Sequence, residues 1–211
     1  MPSRADIERI LKLSPVMPVV VIEEADIAPE LARAFSRGGI RVLEVTLRTA
    51  AALRAIELIA REVPEISVGA GTVLSAQDLR AAADAGAAFA ISPGATGALL
   101  EAGLNAPLPY LPAIATASEL MAGLTHGYHC FKFFPAGPAG GTAALKSFAG
   151  PFPQARFCPT GGITPATVGS YLALPNVLCV GGSWLSPAQA LAARDWKRIE
   201  ALAADAAACR T

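Results

Sequence analysis

Lys132 stands in the middle of His129-Cys130-Phe131-Lys132-Phe133-Phe134-Pro135, a short aromatic run closed by a proline that reads as a buried β-strand. Burying an unpaired ammonium costs several kcal/mol or drives the amine towards its neutral form. The chain has four lysines, and Lys12, Lys146 and Lys197 lie in helix-like or mixed segments where the head reaches water. Lys132 alone sits between phenylalanines. A desolvated amine is what Schiff-base chemistry with a carbonyl substrate requires. The competing reading is a lysine that points outward from an edge strand or snorkels to a rim.

Glu44 is the natural partner. Among seventeen acidic residues it alone falls inside a strand-like run, Ile40 to Leu47. Period-two alternation puts Val42, Glu44 and Thr46 on one face and Leu43 and Val45 on the other, so Glu44 is expected to face away from the helices. It is either a general acid/base beside the amine or half of a structural ion pair. Arg48 lies just past the same strand, where its fork could hold a substrate carboxylate or simply sit exposed in a loop. Gly161-Gly162 and Gly181-Gly182-Ser183 read as glycine-rich strand ends, either tight turns or a place where bare N–H groups meet a phosphate. Trp184-Leu185-Ser186 could begin a short extra helix there. Gly69-x-Gly71 lacks the spacing of a dinucleotide fingerprint. His126 and His129 flank a glycine in a turn, so no metal site is expected. Cys130, Cys158, Cys179 and Cys209 form no C-x-x-C pair and read as free, mostly buried thiols.

These groups need a frame. Ser3-Arg4-Ala5-Asp6 resembles a helix cap, followed by Ile7, Ile10, Leu11 and Leu13 at helical spacing. Strands are then expected at Val16–Ile22, Ile40–Leu47, Ile66–Ala70, Ala87–Ser92, Tyr110–Pro112, the Lys132 run, Arg156–Thr160 and Val177–Val180. Helices alternate with them at 26–37, 50–63, 75–85, 95–102, 117–124, 142–148 and 165–172, and the last runs from Asp195 to Cys209. Near-continuous apolar strands mean that both sheet faces are covered. Eight such units favour one domain, residues 1–211, folded as an α/β (β/α)₈ TIM barrel with a short N-terminal helix. In such a barrel the chemistry lies at the C-terminal strand ends.

The 211 residues carry seventeen basic and seventeen acidic side chains, which cancel. No basic stripe points to nucleic acid or to an anionic membrane. At 53% hydrophobic residues and a mean hydropathy of +0.46, a large core is available. The apolar runs fall short of the roughly 18 residues of a membrane span. No signal-peptide pattern opens the chain, so a cytoplasmic location is expected.

Six blocks taken together resemble a known family. They are Val42-Leu43-Glu44-Val45-Thr46-Leu47-Arg48-Thr49, Val68-Gly69-Ala70-Gly71-Thr72-Val73-Leu74, Phe89-Ala90-Ile91-Ser92-Pro93-Gly94, Phe131-Lys132-Phe133-Phe134-Pro135-Ala136, Arg156-Phe157-Cys158-Pro159-Thr160-Gly161-Gly162-Ile163 and Gly181-Gly182-Ser183-Trp184. In order, over nearly the whole chain, they are similar to the bacterial 2-keto-3-deoxy-6-phosphogluconate (KDPG) and 4-hydroxy-2-oxoglutarate aldolases. The resemblance implies a class I aldolase, usually a homotrimer, needing no metal or cofactor, which cleaves a phosphorylated keto acid to pyruvate and glyceraldehyde 3-phosphate as in the Entner–Doudoroff pathway. It implies that Lys132 forms the Schiff base and Glu44 moves protons. It further implies that Arg48 and Thr72 hold the pyruvyl carboxylate, that Pro93, Phe134 and Thr160 line the pocket, and that Gly161, Gly162, Gly182 and Ser183 take the phosphate. Two positions depart from the family's pattern: Ala113 stands where a glycine is usual, and the loop Gly137-Pro138-Ala139 lacks an acidic residue. The other readings are a phosphosugar isomerase or epimerase that uses Lys132 only for its charge, and a phosphosugar-binding barrel without turnover.

Overall fold

The computed structural model describes residues 4–209, so the cap expected at Ser3 lies outside the described residues. Helix α1 (Arg4–Leu11) precedes β1 (Val16–Val20), and a 3-10 turn (Ala25–Ile27) leads into α2 (Ala28–Arg37). There follow β2 (Val42–Thr46), α3 (Ala52–Glu62), β3 (Ser67–Gly71), α4 (Ala76–Asp84), β4 (Phe89–Ile91) and α5 (Gly97–Leu104). The second half comprises β5 (Tyr110–Leu111), β6 (Ala113–Ile114), α6 (Ala117–Thr125), β7 (Cys130–Phe133), α7 (Gly141–Ala149), β8 (Arg156–Pro159), α8 (Val168–Leu172), β9 (Val180–Gly182), α9 (Ala188–Ala192) and α10 (Trp196–Ala207). Among the described residues no helix is long and apolar enough to cross a membrane.

This is an α/β fold on a curled parallel sheet. Six strands run in the order β5-β4-β3-β2-β1-β9, and three more run β6-β7-β8. One strand expected at Tyr110–Pro112 is therefore two. Proline has no N–H for a ladder, and the chain changes partner there. Leu111 O accepts from Ser92 N on the β4 side at 3.3 Å, and Pro112 O accepts from Lys132 N on the β7 side at 2.9 Å. Single parallel bridges, Phe157 to Val177 and Thr160 to Gly181, link the β8 and β9 segments.

Alternation divides the strand side chains into two cores. Outward residues such as Val20, Leu43, Val45, Val68, Ala70, Phe131, Phe133, Phe157 and Val180 pack against the helices. Each large apolar side chain buried in this layer contributes about 1.5–3 kcal/mol. The inward set, Met17, Val42, Phe89, Ile91, Leu111, Cys130, Cys158 and Cys179, forms a separate core closed by Ile7, Ile10 and Leu11 of α1. The short first helix is thus the floor of the interior. Gly69 leaves the space that the Phe89 ring fills. The thiols behave as small hydrophobes: burial pushes Cys130 up to about 12, and donation to Cys158 at 3.5 Å, with burial, holds Cys179 well above the ordinary thiol range.

Candidate active site

Two strands far apart in sequence meet above that floor. Lys132 Nζ donates to Glu44 Oε1 at 3.0 Å, with Oε2 at 3.4 Å, and the two residues are 5% and 1% exposed. Glu44 stands inward on β2, as the period-two reading requires. Its register partners are Val19 on β1 and Gly69 on β3; Lys132 is aligned with Ala113 and Cys158. The aromatic shielding expected from the neighbours of Lys132 is corrected by the same alternation. Phe131 and Phe133 point into the helix layer, and the ring facing the amine is Phe134, with its centroid 5.3 Å from Nζ. What removes water from the amine is the sheet interior.

A buried ion pair seldom gains enough Coulomb energy to repay its desolvation, so stability alone is a weak reason to keep one. At 3.0 Å the carboxylate is within reach to take a proton from the amine and return it. Gly71 makes room for it. A Cβ built there would coincide with the Glu44 carboxylate. Gly71→Ala is therefore expected to displace the acid and lower turnover about 100-fold, the low end for a misplaced acid/base group. Steady-state kinetics, with circular dichroism to confirm folding, checks this.

The other strand ends ring the pair. Arg48 is exposed beyond β2, and its guanidinium makes no ion pair or hydrogen bond with any described residue. Thr72 follows β3 at φ 58°, a left-handed conformation that a β-branched residue adopts only under constraint. Thr49 Oγ1 donates to Ile22 O at 2.5 Å and ties the Arg48 loop to β1. Pro93 is half-buried after Ser92, whose hydroxyl shares a 2.6 Å hydrogen bond with Tyr110. Thr160 is 7% exposed, and its Oγ1 has no partner among the described residues. A buried hydroxyl without a partner is rare, and this one packs against the bare backbone of Gly181. The structure joins Lys132, Glu44 and Phe134 directly. Arg48, Thr72, Pro93 and Thr160 form no hydrogen bond with that pair.

Gly161 and Gly162 follow β8 at φ 98° and 77°, a conformation open to glycine. Their N–H groups donate to no described residue, while Gly161 O accepts from Gly137 N at 2.9 Å. Gly182 lies under the Trp184 ring, and Ser183 is exposed at the end of β9. The helix expected at Trp184–Ser186 is instead a turn, and α9 begins only at Ala188, after Pro187. The last strand is also displaced, from 177–180 to Val180–Gly182. Glycine's weak strand preference hides it from sequence reading, yet Gly181 must be bare because Thr160 leans against it. Sequence reading also passed over the supporting role of Gly71, for which a glycine inside a strand was the available signal, and the Ser92–Tyr110 bond.

Residues 7–202 match the family model described as "KDPG and KHG aldolase". The KHG/KDPG aldolase of Escherichia coli K12 is 56% identical over 199 residues, which are 94% of this chain and 93% of that protein. Among solved structures, the KDPG aldolase of Legionella pneumophila, with pyruvate captured as a covalent carbinolamine intermediate, superposes with a TM-score of 0.93 at 48% identity, covering 95% and 97% of the two chains. The aldolase of Zymomonas mobilis ZM4 with 3-phosphoglycerate gives 0.93 at 48%, covering 99% and 98%.

Proposed function

Because the chain belongs to the KDPG and KHG aldolase family, we propose that it is a Schiff-base aldolase, a carbon–carbon lyase that cleaves 2-keto-3-deoxy-6-phosphogluconate to pyruvate and glyceraldehyde 3-phosphate. 4-Hydroxy-2-oxoglutarate, cleaved to pyruvate and glyoxylate, is the unphosphorylated counterpart. The observation that carries this reading is the buried contact between Lys132 and Glu44. The carbinolamine captured in the Legionella relative supports it.

In this reading Lys132 Nζ attacks the keto carbon, and Glu44 takes the proton that the amine loses. Glu44 returns it to the carbonyl oxygen, giving the carbinolamine hydroxyl; it then carries a second proton from the nitrogen to that hydroxyl, which leaves as water as the nitrogen lone pair closes the iminium. The resulting iminium draws in the electron pair of the C3–C4 bond while the C4 hydroxyl gives its proton to Glu44. The aldehyde departs, and protonation of the enamine at C3 followed by hydrolysis frees pyruvate and the lysine. Arg48 and Thr72 hold the carboxylate, and the unpaired guanidinium of Arg48 suits a bidentate hold. Pro93, Phe134 and Thr160 line the pocket; Gly161 and Gly162 meet the phosphate through free N–H groups, and Gly182 and Ser183 complete that end with the Ser183 hydroxyl.

We infer further that the two sheets close into one (β/α)₈ barrel, a single domain. Support comes from the chain running unbroken through Pro112 between β5 and β6, and from the bridge between Thr160 and Gly181. A cytoplasmic homotrimer is proposed on the family resemblance.

Borohydride added with pyruvate is expected to fix one reduced pyruvyl group on Lys132, seen by peptide mass spectrometry, with parallel loss of activity. Pyruvate leaving no adduct on Lys132 defeats the reading.

A further inference from the structure

Next to the Lys132–Glu44 face, the mouth of the sheet holds a cavity of about 710 Å³ lined by Val19, Val21, Glu24, Ser183, Leu191 and Arg194, among others. Val19 is the register partner of Glu44 on the neighbouring strand, so the two share one sheet face and the cavity opens off the side that carries the acid. Ser183 forms its wall at the end of β9. A chain held by its carbonyl at Lys132 has this space in which to lay its far end.

Arg194 is the one basic side chain among the described residues of that lining. It sits in the turn between α9 and α10 at φ 51°, a left-handed backbone that is costly for any residue but glycine. That backbone closes α9: Asp195 N donates to Ala190 O at 2.8 Å and Arg194 N to Leu191 O at 3.0 Å, the hydrogen bonds of a left-handed helix end. Nη2 contacts Glu24 Oε2 at 3.1 Å and Asp26 Oδ2 at 3.4 Å, but all three side chains are more than half exposed, and such surface pairs contribute little. Both contacts use the same nitrogen. Nε and Nη1 hydrogen-bond to no described residue. One corner of the guanidinium is thus tethered by two carboxylates while its remaining donors stay free beside the cavity. A left-handed helix end asks for glycine or asparagine, and nothing in this cap uses a guanidinium.

We propose that Arg194 is a specificity-determining residue for the terminal phosphate of the substrate, donating from Nε and Nη1 to phosphate oxygens on the side opposite Ser183. This assignment rests on the aldolase reading above. Glu23, Glu24 and Asp26 make the surroundings acidic, so an anion gains from direct N–H contact here and not from long-range attraction. A tail without phosphate gains nothing from the guanidinium. The residue therefore separates phosphorylated from unphosphorylated keto acids, whereas the bare glycine N–H groups serve either.

The test compares kcat/KM for 2-keto-3-deoxy-6-phosphogluconate and 4-hydroxy-2-oxoglutarate in wild type and in Arg194→Gly, which keeps the left-handed backbone. The expected result is a fall of about tenfold in the ratio of the two values, carried by KM for the phosphorylated substrate, the size of one lost charged hydrogen-bond contact. An unchanged ratio, or an equal fall for both substrates, overturns the assignment and leaves Arg194 as a tie between two loops. Failure of the aldolase reading shows separately, in the wild-type protein, as no pyruvate adduct on Lys132, and it removes this assignment as well.

Discussion

Lys132→Arg is expected to abolish aldol cleavage while leaving the fold intact. Arginine keeps the positive charge that faces Glu44 at 3.0 Å, so the buried carboxylate is not stranded, an outcome that would cost about 3–5 kcal/mol. What is lost is the nucleophile, because a guanidinium holds its proton under all accessible conditions. The fall in kcat should be roughly 10⁴- to 10⁶-fold, the range seen when a covalent nucleophile is deleted. Borohydride with pyruvate should then label nothing at position 132. A phosphosugar isomerase or epimerase that used the lysine only for its charge would keep measurable turnover in this variant. Steady-state kinetics beside a thermal melt separates the two, and retained cleavage would remove the Schiff base from the mechanism.

Glu44→Gln should be the second most damaging change, and in a different way. The amide is nearly the same size, fits above Gly71 and still accepts a hydrogen bond from Nζ, but it cannot carry a proton. Loss of a positioned acid/base group costs about 10²- to 10⁴-fold in rate, and the loss should fall on kcat with KM little changed. Single-turnover mixing with pyruvate should show the adduct forming slowly yet reaching completion once borohydride is present. A variant altered only in affinity would instead fit a binding protein without turnover.

Much of this site is legible in the chain because two simple rules point to it. Lys132 is conspicuous as the one lysine inside an apolar run, and period two alone turns Glu44 away from Leu43 and Val45. The same rule, applied to β7, shows that Phe131 and Phe133 cannot shelter the amine, since adjacent residues on a strand face opposite ways. Partner exchange at Pro112 is harder to foresee, because a proline says where a ladder is interrupted but not which strand continues on either side. β9 is hidden for a related reason: its glycines carry no strand signal, and their purpose is visible only once Thr160 and Trp184 are seen resting on them. Arg194 is beyond sequence reading altogether. Its left-handed backbone comes from the end of a five-residue helix that the chain's pattern does not announce, and its place beside the cavity depends on residues as distant as Val19 and Val21.

The helix α1 that stops one end of the interior has a bearing on traffic. In the proposed barrel that end is shut and the reactants share the mouth at the C-terminal strand ends, so in the synthetic direction the keto acid, which bonds to Lys132, is seated before the aldehyde. In cleavage the aldehyde must vacate first, with pyruvate, still tethered, behind it. The order then follows from the covalent tether at Lys132 together with the floor to which Ile7, Ile10 and Leu11 contribute.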